Sequence, residues 1–229
     1  MRRRDDGPGR AAPGLVLDSH PTPPLGRPLR SASRSARGSQ GGIDAALARR
    51  LKLVGFDVDG VLTDNGVYIG LVGDHPVEFK RFHIQDGLGI RMLRAAGLVV
   101  VWASARRSDA TDLRARELTV DEVVQDNKKL PAFAAILERR GVAWDESAFV
   151  GDDLPDVPLL TRVGLPIAVA NAVPEAKAAA RVVTTLAGGQ GAVREVAELI
   201  LKARGEWQGL LTQYFTERGD VAHGASRPR

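Results

Sequence analysis

Asp57 and Asp59 stand two residues apart in FDVDGVLTD, immediately after the apolar run Leu53, Val54, Gly55. Further along, Asp152 and Asp153 follow Phe149 and Val150 in GDDLPD, Ser104 follows the apolar residues 99–103, and Lys128 and Lys129 come shortly after residues 123–125. Carboxylates gathered at the end of a sheet repel one another unless a cation joins them. The sequence has no Cys, so the donors it offers are chiefly oxygens. A hard divalent ion, Mg2+, is expected, with a substrate phosphate completing its shell. Around such a pair the remaining residue types take on roles. Asp57 can attack phosphorus and carry the phosphoryl group as an aspartyl phosphate. Asp59 can protonate the departing oxygen and then activate water. Ser104 can donate its hydroxyl to a phosphoryl oxygen, and Lys129 can neutralise charge as the group transfers. The two lysines fall where a helix is predicted to begin, with Pro131 in its first turn. Cations there oppose the helix dipole, so something negative is expected to face them.

These residues need a scaffold that brings separate segments to one edge. From Ile43 onward apolar runs alternate with helical periodicity, the pattern of a parallel sheet flanked by helices. Strands are predicted at 51–56, 98–103, 122–125, 148–150 and 166–169. Leu130, Phe133, Ala134 and Leu137 share one helical face; Val193, Val196, Ala197, Ile200 and Leu201 share another, and Leu210, Leu211, Tyr214 and Phe215 form a last amphipathic piece. Right-handed crossovers assemble such elements into a Rossmann-like sheet, with ligands beyond the carboxyl ends of its strands. Residues 66–82 break the alternation with two strand-like runs around Gly73, Asp74, His75 and Pro76, a β-hairpin inserted after the first strand.

DVDGVLTD, the segment from Ser104 to Arg107, Lys129 and GDDLPD together resemble the four motifs of the haloacid dehalogenase superfamily, in order and spacing. Within it, Glu78, Phe79, Lys80 and Phe82, then Asp86, Gly87, Gly89 and Ile90, and finally GGQGAVREV at 188–196 are similar to the capless sugar-phosphate phosphatases. The similarity runs from about residue 51 to 215. It implies Mg2+ held by the Asp57 carboxylate, the Asp59 backbone carbonyl and Asp152, with Asp57 as nucleophile and Asp59 as acid and base. Lys80, Asp86, Arg106 and Arg194 are the candidates for binding substrate. The implied substrate is a 3-deoxy-octulosonate 8-phosphate on the route to lipopolysaccharide; a nine-carbon 2-keto sugar acid 9-phosphate and a catalytically silent oligomerisation module are the alternatives. It also implies a homotetramer in which the hairpins pack together and neighbouring subunits help to cover the site. Ala105 stands where the second motif usually has Gly, and so disfavours a positive φ there.

Plainer roles compete at several of these positions. Asp153 and Asp156 suit either an outer-shell metal role or capping of the following helix. Arg194 can pair with Glu198 one turn on, and His83 reads as a packing or surface residue. Basicity points away from nucleic acid: residues 1–42 hold eight Arg and three Asp, while the rest of the chain holds 24 basic and 25 acidic residues. That Arg-, Pro-, Gly- and Ser-rich stretch is expected to be a disordered tail, followed by a catalytic domain at 43–218 and a disordered C-terminus at 219–229. No segment has the roughly 20 apolar residues of a membrane span, and the absence of Cys suits a reducing cytoplasm.

Overall fold

The computed structural model describes residues 42–219. Apart from Gly42 and Gly219, the two tails expected from the sequence lie outside the described residues.

A short helix, α1 (Ala45–Arg50), leads into β1 (Leu53–Phe56). The hairpin β2 (Tyr68–Val72) and β3 (His75–Phe79) follows, then α2 (Ile84–Ala95), β4 (Val99–Ser104), α3 (Asp109–Glu117) and β5 (Glu122–Gln125). The second half comprises α4 (Lys129–Arg140), β6 (Ser147–Gly151), α5 (Val157–Leu160), β7 (Leu165–Ala168), α6 (Pro174–Ala179), β8 (Val182–Val183), α7 (Ala192–Arg204) and α8 (Trp207–Thr216).

Six strands form one sheet in the order β5-β4-β1-β6-β7-β8, every pair parallel. All four residues of β1 and all five of β6 are buried, as expected of parallel strands covered by helices on both faces. The chain leaves β1 toward β4 and β5, then returns to the other side of β1 for β6, β7 and β8. The order reverses about β1, so the carboxyl ends of β4, β1 and β6 converge, the place where open α/β sheets bind ligands.

Five strand predictions correspond to five of the six. β8 was not anticipated, because two residues are too short to make a periodic signal. Nor was α2, where Gly87 and Gly89 lower helix propensity; α2 instead uses its small residues for close packing, since a Cβ at Gly89 would lie 3.0 Å from Arg194 Cα of α7. The hairpin forms its own two-stranded sheet. Its turn is shorter than the predicted Gly73-to-Pro76 turn: only Gly73, at φ +60°, and Asp74 separate the strands, and His75 and Pro76 already pair with Val72 and Leu71. A proline is tolerated there because an edge strand does not need its N–H. An antiparallel bridge between Thr63 and Phe82 closes the base of the hairpin, and the Phe82 ring stacks on buried Trp102 with centroids 6.1 Å apart.

Candidate active site

β1 delivers Asp57 to the sheet edge, where its N–H donates to Val150 O of neighbouring β6 at 2.9 Å. The side chain is buried. Lys129, at the start of α4, reaches it with Nζ 2.6 Å from Asp57 Oδ1 and 2.8 Å from Asp156 Oδ1. The negative groups expected to face Lys129 are thus these two carboxylates. Asp156 is fully buried, and its Oδ2 accepts the N–H groups of Asp152 and Asp153 at 2.9 and 3.3 Å. Asp156 therefore ties the loop after β6 to Lys129, whereas Asp153 accepts from Leu154 N–H at 2.7 Å and caps the turn that follows.

Asp57, Asp152 and Asp156 each offer an oxygen within 4.8 Å of the others. One lysine cannot balance three carboxylates. Burial, and then Asp156, holds Asp57 well above the usual carboxylate range against the pull of Lys129. Burial pushes Asp152 up to about 6. Desolvation works against the Lys129 ammonium, yet Asp57 and Asp156 outweigh it and its pKa is raised. Asp152 Oδ1 is buried with no hydrogen-bond partner. A buried carboxylate oxygen without a donor, in an acidic group that binds protons too readily, fits a hard divalent cation.

Asp59 lies on the Val58–Leu62 loop that leaves β1, where the backbone departs from helical geometry at Asp59 and Gly60. Gly60 takes φ +97°, and a Cβ there would overlap the Asp152 carboxylate; glycine lets the loop cross that close to the acidic group. Asp59 is ion-paired with Lys80, accepts from Ser104 Oγ at 3.2 Å and has Arg106 Nη1 3.9 Å away. Ser104, at the end of β4, is fully buried, and its Oγ also accepts Arg106 N–H at 3.0 Å. Arg106 Nη2 sits 2.9 Å from Glu78 Oε1 of the hairpin. Lys80, just past β3, has an almost inaccessible side chain. Ala105 does not take a positive φ: among the described residues the non-glycine examples are Asn65 and Thr119.

The structure thus gathers Asp57, Asp59, Ser104, Lys129, Asp152, Lys80 and Arg106, and adds Asp156 and Glu78. It does not place Asp86 and Arg194 among them by any bond to these side chains. Asp86 is buried, and its Oδ1 accepts the Arg194 N–H at 2.8 Å, so this oxygen binds the first turn of α7. The Arg194 guanidinium pairs with Glu198 at 2.8 Å and lies 5.1 Å from the centroid of Trp207. In both cases the bonds present belong to helix packing. The glycines at 188–191 do reach the site: a Cβ at Gly188 would overlap the Gly60 carbonyl, one at Gly189 the Asp64 backbone, and Gly189 N–H donates to Val61 O at 3.0 Å. Of the two roles open to Asp156, the structure places it beside the candidate metal-binding acids and on Lys129; contact between the glycine turn and the Asp59 loop had no local signal.

The description haloacid dehalogenase-like hydrolase matches residues 114–195. Over 162 residues the chain is 40% identical to the 3-deoxy-D-manno-octulosonate 8-phosphate phosphatase of Escherichia coli, covering 70% of this chain and 85% of that protein. A crystal structure of the phosphatase of that name from Moraxella catarrhalis, in complex with magnesium, phosphate and a KDO molecule, is similar with a TM-score of 0.70 and 34% identity over 74% of this chain and 97% of that one. A cobalt-bound phosphatase from Haemophilus influenzae gives a TM-score of 0.66 and 34% identity over 71% and 94%. With its carboxylates, serine and lysine at the carboxyl edge of a parallel sheet, the chain belongs to the haloacid dehalogenase-like hydrolases and is a phosphatase.

Proposed function

We propose that residues 43–218 form a magnesium-dependent phosphatase acting through an aspartyl phosphate on Asp57, with 3-deoxy-D-manno-octulosonate 8-phosphate as substrate. The observation that carries the chemistry is the buried Asp57 carboxylate, bonded to Lys129 beside two further acids. The substrate is supported by the relatives that share 34–40% of their residues with this chain.

Asp57, Asp152 and the Asp59 carbonyl would hold Mg2+, which when bound supplies positive charge beside the phosphoryl oxygens. An Asp57 oxygen attacks phosphorus and the bond from phosphorus to the sugar oxygen breaks. The departing oxygen takes a proton from Asp59 and leaves as the free sugar acid. Water then gives a proton to Asp59 while its oxygen attacks the aspartyl phosphate, the bond to Asp57 breaks, and inorganic phosphate is released. Lys129 stays beside Asp57 and offsets charge in both steps. Lys80 and Ser104 hold the Asp59 carboxyl group toward the same edge, and half-exposed Arg106 would exchange its pairing with Glu78 for a substrate carboxylate.

The hairpin carries Val67, Ile69, Leu71, Val72 and Phe79 more than half exposed. An apolar surface of this kind supports assembly into a homotetramer through the hairpins. Among the described residues no helix is long and apolar enough to cross a membrane, which is compatible with action in the cytoplasm.

The test is phosphate release from the eight-carbon 8-phosphate, a nine-carbon 2-keto sugar acid 9-phosphate and an aryl phosphate, with Mg2+ or chelator, in the parent and Asp57→Asn. Metal-dependent preference for the eight-carbon ester, abolished in the variant, is expected. Preference for the nine-carbon ester would refute the substrate, and steady turnover by Asp57→Asn would refute the mechanism.

A further inference from the structure

Asp86 is a buried acid that the chemistry above does not use. It sits in the first turn of α2 and is 2% exposed. α7 begins after Gly191 with no capping side chain of its own. Asp86 Oδ1 supplies one from another helix by accepting Arg194 N–H at 2.8 Å, with the amides of Gly191 and Val193 also turned toward it. The close crossing of the two helices at Gly89, with Ala197 Cβ 3.2 Å from where a Cβ would stand, brings the α2 first turn to the α7 amides. His83, the residue before α2, lies beside Gly191 and faces the same carboxylate.

Both helices lead directly to the reacting loop. The hairpin exit that runs into α2 carries Lys80 on Asp59, Arg81 on Gly189 O at 3.2 Å, and Phe82 bridged to Thr63. The turn that runs into α7 carries Gly188 against Gly60 and Gly189 against Asp64. Residues 58–64 are therefore held from two sides, and those sides are joined by the Arg81 bond to Gly189 O and, in the buried interior, by the Asp86 carboxylate on the α7 N-terminus. A helix start bound to a carboxylate is fixed both by its N–H bonds and by its dipole.

We propose that Asp86 is a positioning residue for the loop that carries Asp59: it clamps the start of α7 to the start of α2, and so sets the glycine turn and the hairpin exit against residues 58–64. This rests on the reading of Asp57 and Asp59 as the reacting groups only for its consequence in turnover, and the loop itself can be watched without activity. The experiment uses Asp86→Ala, Asp86→Asn and, as a control on the far end of α7, Arg204→Ala, which removes bonds to the carbonyls of Ala48 and Leu51 at the end of α1.

The first readout is amide hydrogen exchange by mass spectrometry on the full chain. Asp86→Ala is expected to accelerate exchange at least tenfold in peptides covering 58–64 as well as 188–195. Asp86→Asn keeps an oxygen acceptor and should restore most of the protection, and Arg204→Ala should leave 58–64 unchanged. The second readout is kcat and KM on the ester that the parent hydrolyses best. Asp86→Ala should lower kcat by roughly ten- to a hundredfold, the scale set by small misplacement of reacting groups, with KM within about threefold, and Asp86→Asn should recover most of it. Exchange confined to 192–197, with 58–64 as protected as in the parent, would overturn the proposal, as would kcat of folded Asp86→Ala within twofold of the parent. If Asp86→Ala does not fold, Asp86→Leu, which removes the acceptor while filling the space, decides: exchange at 58–64 beyond that of Arg204→Ala supports the proposal, and equal exchange overturns it. A parent with no phosphatase activity would defeat the functional reading while the exchange result still judged the clamp.

Discussion

Replacing Lys129 with methionine removes the cation bonded to Asp57 and Asp156 while keeping most of the side-chain volume. The ammonium is 4% exposed and its two partners are 6% and 0% exposed, so solvent screens neither bond appreciably. Breaking a buried charge pair by deleting one partner costs about 3–5 kcal/mol, because an unpaired charge stays behind. Here two carboxylates stay behind, beside Asp152, so the native state of the variant must take up protons that the parent does not need. Each additional proton bound recovers about 1.4 kcal/mol per unit of pH lowered. Urea unfolding in chelator should therefore show Lys129→Met less stable than the parent by about 4 kcal/mol at pH 7.5, with the gap closing by about 2–3 kcal/mol at pH 5.5. A gap below about 1 kcal/mol at pH 7.5, or one that does not narrow on acidification, would refute the view that Lys129 balances a buried acidic group.

Burial raises Asp152 to about 6 from an ordinary 3.8, so between these values the folded state holds a proton that the unfolded chain has released. In chelator its contribution to stability should be intact below about pH 4 and lost as pH rises to about 6, and the apparent affinity for Mg2+, measured by calorimetry, should rise over the same window as metal displaces the proton. Gly60→Ala forces a side chain into φ +97° and onto the Asp152 carboxylate; thermal unfolding should report a loss of about 1–3 kcal/mol, and the affinity for Mg2+ should fall as Asp152 is displaced. Ile69→Glu with Leu71→Glu places two charges on one face of an exposed strand; sedimentation velocity should show the assembly shifted to smaller species with far-ultraviolet circular dichroism unchanged, and an unaltered sedimentation coefficient would argue against hairpin-mediated assembly.

Much of the catalytic edge was legible in one dimension. A parallel α/β sheet places polar residues that follow apolar runs at its carboxyl edge, so the positions of Asp57, Ser104, Lys129 and Asp152 follow from local pattern once the strands are recognised. That Lys129 faces negative charge follows as well, since lysines at a helix start need negative partners; that the partners are Asp57 and Asp156 came from the fold. Two glycines hid α2, and β8 was too short to register. The bond between Asp86 and the Arg194 N–H was not legible for a different reason. A buried carboxylate can bind a substrate, a metal or another helix, and its residue type is the same in each case. The packing of α2 on α7, 108 residues apart at the bond from Arg194 N–H to Asp86, gave that carboxylate the orphan amides of a helix start. Periodicity and order along the chain were enough to place the five longer strands and, at their carboxyl ends, Asp57, Ser104, Lys129 and Asp152. The partners of a buried acid, Lys129 for Asp57 and the Arg194 N–H for Asp86, could be read only in the folded chain, because they depend on what distant segments bring within hydrogen-bond reach.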